Sequence, residues 1–109
     1  MSSIPLTEAD KDTTIDVPQG SEVVIRLEEN PTTGYVWALA QSDDTVLPLE
    51  RSDFSATLGA GVGAGGIRTF TFTAGEPGTA HLQLKLWREW QGDPSTIERY
   101  DVVIRVHGN

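Results

Sequence analysis

The chain has 109 residues, enough for one domain of ordinary size and too few for two. Hydrophobic residues make up 38% and charged residues 22%, with no apolar run of spanning length, which excludes both a disordered tail and a membrane partner. Sixteen acids against eight bases leave a net charge of −8, which argues against nucleic acid, because phosphate binding needs a positive face. With no cysteine, disulfides, thiol catalysis, iron–sulfur clusters and cysteine-ligated zinc are all excluded. His81 and His107 are far apart and near no carboxylate motif, so no metal and no cofactor is expected. The opening Met-Ser-Ser-Ile-Pro has no basic stretch leading into an apolar one. The expectation is therefore a cytoplasmic protein or a mature exported one whose leader has been removed.

Residues 1–10 carry no clear pattern and are expected to be loosely ordered. Beyond them the dominant signal is period two. Val23, Ile25 and Leu27 alternate with Arg26 and Glu28, and Tyr35, Trp37 and Leu39 repeat the pattern. Phe70 and Phe72 alternate with threonines, Leu82, Leu84 and Leu86 with His81, Gln83 and Lys85, and Tyr100, Val102, Ile104 and Val106 with polar residues. Strict alternation marks half-buried antiparallel strands. About seven strands are predicted, near 13–17, 21–28, 35–40, 46–54, 67–74, 79–87 and 97–106. Pro48 marks an edge strand or a bulge. The fold class is all-β: an immunoglobulin-like sandwich of about seven antiparallel strands in two sheets, with an open barrel as the alternative.

Three connections are unusual for turns: Asn30-Pro31-Thr32-Thr33-Gly34-Tyr35, the run 59–66 with five of the eleven glycines, and Arg88-Glu89-Trp90-Gln91-Gly92. They are the second, fourth and sixth connections between the seven expected strands. If successive strands reverse direction, all three lie at one end of the sandwich and form one composite surface.

Each segment also has a plainer reading. Gly61–Gly66 matches G-x-G-x-x-G, but the residues that follow read as a strand and not a helix, which sets a dinucleotide site aside. Either a flexible hairpin loop or a close backbone approach to a partner fits it. Pro31 and Gly34 together define a tight turn with two threonines at its tip. Trp90 shares the parity of Leu82, Leu84 and Leu86, which favours the core, yet it lies beyond the strand beside Arg88, as an interface anchor would. Trp37 reads as core and Trp87 as a partly exposed stacking residue. The pairs Glu28-Glu29 and Asp43-Asp44 read as solvated carboxylates. No nucleophile motif or paired base is present, so the chain is not expected to be an enzyme.

Taken together, the three loops resemble the chagasin family of papain-like cysteine peptidase inhibitors. That family's pattern is N-P-T-T-G-[YF], then G-x-G-G, then R-P-W. The first is intact as Asn30, Pro31, Thr32, Thr33, Gly34 and Tyr35, and the second as Gly63, Ala64, Gly65 and Gly66. The third reads Arg88, Glu89, Trp90, with glutamate in the proline position. The resemblance implies a single inhibitor domain over 1–109, a papain-like cysteine peptidase as partner, and a monomer when free. It implies that Thr32 and Thr33 sit over the peptidase's catalytic pair, with the glycine loop on one side of the cleft and Trp90 on the other. The competing reading is a non-inhibitory module that binds another protein or a glycan.

Overall fold

The computed structural model describes residues 3–56 and 65–108. Its strands are β1 (Ser3–Leu6), β2 (Thr14–Pro18), β3 (Glu22–Glu29), β4 (Val36–Gln41), β5 (Leu49–Ala56), β6 (Gly66–Thr73), β7 (Gly78–Trp87) and β8 (Glu98–His107). They form two four-stranded sheets, ordered β1-β3-β6-β5 and β2-β8-β7-β4. Two separate sheets make an immunoglobulin-like sandwich and set the open barrel aside. No α-helix occurs among the described residues.

The alternating residues fill the space between the sheets. Val23, Ile25, Leu27, Phe70 and Phe72 come from one sheet, and Trp37, Leu82, Leu84, Tyr100, Val102 and Ile104 from the other, all buried. Removing this apolar surface from water, at about 25 cal/mol per Å², is the main force holding the sheets together.

Three expectations need correction. The pairing is mixed, because β1 runs parallel to β3 and β2 parallel to β8, while the other pairs are antiparallel. An eighth strand, β1, lies within the segment expected to be loose. It is followed by a 3-10 turn, Glu8–Asp10, closed by a capping box between Thr7 and Asp10. The Tyr100 hydroxyl donates to the Thr7 carbonyl at 2.8 Å, which pins this segment to β8. Burial pushes that hydroxyl's pKa well above the ordinary tyrosine range.

The third correction is at 46–54. Asp43 Oδ1 accepts the Thr45 and Val46 amides, which makes 43–47 a turn that drops Val46 and Leu47 into the core. The strand starts only after Pro48. It lies at a sheet edge, with a register shift between Leu49 and Arg51, as the proline suggests.

Candidate functional site

The β3–β4 loop is ordered by its own side chains. Asn30 Oδ1 accepts the Thr32 amide at 3.1 Å and the Thr32 hydroxyl at 2.6 Å. The Asn30 carbonyl accepts the Thr33 amide at 3.2 Å and its hydroxyl at 2.7 Å. Thr33 Oγ1 in turn accepts the Tyr35 amide at 3.2 Å. These bonds hold Pro31–Thr33 as one 3-10 turn, with Thr32 and Thr33 exposed. Gly34 leaves the turn at φ +82°, where a side chain is strained.

The loop's root is fixed by a residue that sequence reasoning misplaced. Glu29 is 3% exposed, not solvated. Its carboxylate accepts Arg68 Nη2 at 2.8 Å and Arg68 Nε at 3.2 Å, and also the Trp37 amide at 2.7 Å. Arg68 is on β6 and Trp37 on β4, so one carboxylate ties the two sheets together where the loop begins. The Trp37 indole N–H adds a bond to the Glu28 carbonyl at 2.9 Å. The signal was present in the sequence, since Glu29 continues the inward parity of Val23, Ile25 and Leu27.

The β7–β8 connection consists of two 3-10 turns, Glu89–Gln91 and Asp93–Ser95. Ser95 Oγ links them, accepting the Arg88 amide at 2.9 Å and lying 3.0 and 2.6 Å from the Arg88 and Gly92 carbonyls. Lys85 Nζ meets Asp93 Oδ1 at 2.5 Å and lies 3.6 Å from the Trp87 ring centroid, which makes Trp87 the partly exposed stacking residue expected. The Lys85 hydrogen bond holds the Asp93 carboxyl below its ordinary value of 3.8. A lowered carboxylate pKa means that the tie is in place from 3.8 through neutral pH and is lost as pH falls through the lowered value.

The loops meet one another. Arg88 Nε and Nη2 donate to the Thr33 carbonyl at 3.2 and 3.1 Å, and the guanidinium lies 4.4 Å from the Tyr35 ring centroid. Trp90 is 70% exposed, which overturns its core reading. Its indole covers Gly34, where a Cβ would come within 2.5 Å of Cη2. Gly65 lies so close to the first loop that a Cβ there would be 2.8 Å from the Glu29 carbonyl oxygen. Gly66 is buried as the first residue of β6, pressed against the Ser55 carbonyl. Gly63 and Ala64 lie outside the described residues. The structure thus brings the first loop, Gly65 and the third loop together at one end. Between them runs a groove of about 750 Å³, lined by Asn30, Tyr35, Gly65, Leu86, Arg88 and Ile97 among others.

Glu89 is exposed at the first position of its turn, and its amide donates no hydrogen bond among the described residues. Arg88 before it is extended, at φ −99° and ψ 110°. Both conditions suit proline. Glu89→Pro is therefore expected to stabilise the fold by about 0.4–1 kcal/mol. Thermal unfolding checks this, and a lower melting temperature would contradict it.

No group of three or more histidine, aspartate or glutamate side chains among the described residues is placed to hold a metal ion. The geometry offers a shape rather than a reaction: a rigid polar tip flanked by an exposed indole.

Comparison with known proteins gives that shape a family. Residues 16–104 match the model of the chagasin family peptidase inhibitors, I42. Chagasin of Trypanosoma cruzi is 29% identical over 107 residues, covering 94% of this chain and 96% of that protein. The crystal structure of a cysteine protease inhibitor from Entamoeba histolytica superposes with a TM-score of 0.88 at 22% identity, covering 98% of this chain and 97% of the other. The structure of Leishmania mexicana ICP gives a TM-score of 0.69 at 28% identity, covering 90% of each chain. With the family's model matched from β2 to β8 and its architecture reproduced, this chain belongs to the chagasin family of peptidase inhibitors and is not an enzyme.

Proposed function

We propose that the protein is a reversible inhibitor of papain-class cysteine peptidases that inserts the Asn30–Tyr35 tip into the active-site cleft, with Trp90 packed beside it. The observation that carries this is the internal bonding of the tip. The hydrogen bonds among Asn30, Thr32, Thr33 and Tyr35 hold the turn in one conformation before any partner arrives. Binding then forfeits little conformational entropy. The same bonding explains why insertion does not lead to cleavage. The Asn30 carbonyl is held inward by Thr33, and the Thr33 carbonyl by Arg88. The 3-10 turn also differs from the extended backbone that a peptidase cleaves. An interface of three loops should bury on the order of 1,600 Å² in total. The family match sets the non-inhibitory module aside.

Titration against papain and a cathepsin-L-like enzyme, with trypsin as control, tests the proposal. Activity of both cysteine peptidases should fall stoichiometrically, and mass spectrometry should find the inhibitor intact. Unchanged papain-class activity at a stoichiometric excess, or a cut between Thr32 and Thr33, would refute it. Thr32→Arg should weaken inhibition strongly while costing about 1 kcal/mol of stability, the value of one exposed hydrogen bond. Parallel losses of binding and stability would instead make the tip a structural element.

A further inference from the structure

We propose that Glu89 is a specificity-determining contact that selects peptidases carrying a lysine or arginine on the cleft rim beside the surface that receives Trp90. The inference rests on the inhibitory reading above and adds the chemistry of the target.

Glu89 is exposed and immediately precedes Trp90, the most exposed large hydrophobic residue described. An anchor that docks must bring its neighbour to the partner's surface. The turn holding both residues is fixed by the Ser95 and Gly92 bonds, so the carboxylate cannot retreat far. Nor does the protein neutralise it. Among the described residues Glu89 has no ion pair and no side-chain hydrogen bond. The cations at this end of the sandwich are engaged elsewhere: Arg88 with the Thr33 carbonyl and the Tyr35 ring, Lys85 with Asp93 and Trp87, and Arg68 with Glu29. Arg99, also at this end, acts on Asp93.

A carboxylate carried toward an interface unpaired must either meet a cation or lose hydration without return. A basic rim supplies the cation, and an acidic rim adds repulsion, so one side chain both attracts and excludes. The net charge of −8 extends the same preference to longer range by steering the encounter.

Two papain-class peptidases serve as probes, one with lysine or arginine on the cleft rim and one with aspartate or glutamate there. Association rates and inhibition constants are measured at about 20 mM and about 500 mM sodium chloride, which spans weak to strong screening. The parent should favour the basic-rim enzyme. Glu89→Gln and Glu89→Pro should both slow association with it, by about threefold to tenfold at low salt, and the gap should close at high salt. Glu89→Lys should move the preference toward the acidic-rim enzyme. Equal behaviour of parent, Glu89→Gln and Glu89→Lys toward both enzymes overturns the inference while leaving inhibition standing. A loss with Glu89→Pro alone overturns it too, because glutamine keeps the amide and drops only the charge. A parent that inhibits neither enzyme overturns the inhibitory reading and this inference with it.

Discussion

Replacing Arg68 by methionine should destabilise the protein by about 3–5 kcal/mol, the usual cost of stranding one member of a buried ion pair. Glu29 would keep the Trp37 amide as a donor but lose three N–H contacts from the guanidinium, at 3% exposure. The guanidinium also lies 5.5 Å from the Phe54 ring centroid, a contact that methionine replaces in part. For a domain whose total stability is about 5–15 kcal/mol, the loss is a large share. Glu29→Gln should cost less, since it leaves an acceptor for the Trp37 amide, and the Arg68 side chain, at 22% exposure, can reach water. Urea denaturation of the two variants gives the ordering directly. A loss under about 1 kcal/mol for Arg68→Met would show that the pair contributes little.

Trp90→Ala should have the reverse profile. The indole is 70% exposed, so its removal opens no cavity and the unfolding free energy should stay within about 0.5 kcal/mol of the parent. Binding should weaken by about 2 kcal/mol, roughly 30-fold, as expected when a tryptophan anchor is truncated. The ring also rests on Gly34, so its loss uncovers a glycine at positive φ and loosens the tip next to it. An unchanged inhibition constant would remove Trp90 from the interface and leave the tip as the main contact. Gly34→Ala separates the two roles. It keeps the indole but pushes it away, and it should weaken both stability and binding.

The core and the loop cluster could be read from the sequence because both follow from short-range rules. Leu82, Leu84, Leu86 and Tyr100, Val102, Ile104 alternate with polar neighbours, and a strand leaves no other way to bury them. Chain reversal at each turn then assigned the first and third loops, with Gly65, to one end. What could not be read comes from partners distant in sequence. Ser3–Leu6 is four residues long and contains a proline, and it becomes a strand because Glu22–Ile25 offers it a parallel edge. The strand at Thr14–Pro18 was legible, but its parallel pairing with β8, Thr14 against Val103, was not. For Trp90 the sequence offered two readings, the core from its parity and an anchor from its place beyond the strand, and the first fails because parity holds only while the strand lasts. β7 ends at Trp87, and the 3-10 turn that follows carries the indole outward. Glu29 misled in the opposite sense. Its charge suggested solvent while its parity pointed inward, and Arg68, 39 positions away, resolves the conflict.

The first loop joins β3 in one sheet to β4 in the other, and this has a kinetic consequence. The third loop closes a local pair, β7 with β8, which needs no second sheet. The threonine tip has its own local bonds, but its root is fixed, and Arg88 reaches its Thr33 carbonyl, only once the sheets dock and Glu29 reaches the Trp37 amide. Folds dominated by such distant pairings typically form in milliseconds to seconds, limited by bringing remote segments together. During refolding, inhibitory activity should therefore return with the slowest docking phase rather than with early hairpin formation. A nascent or partly unfolded chain would show its tryptophan turn before it could present a competent tip.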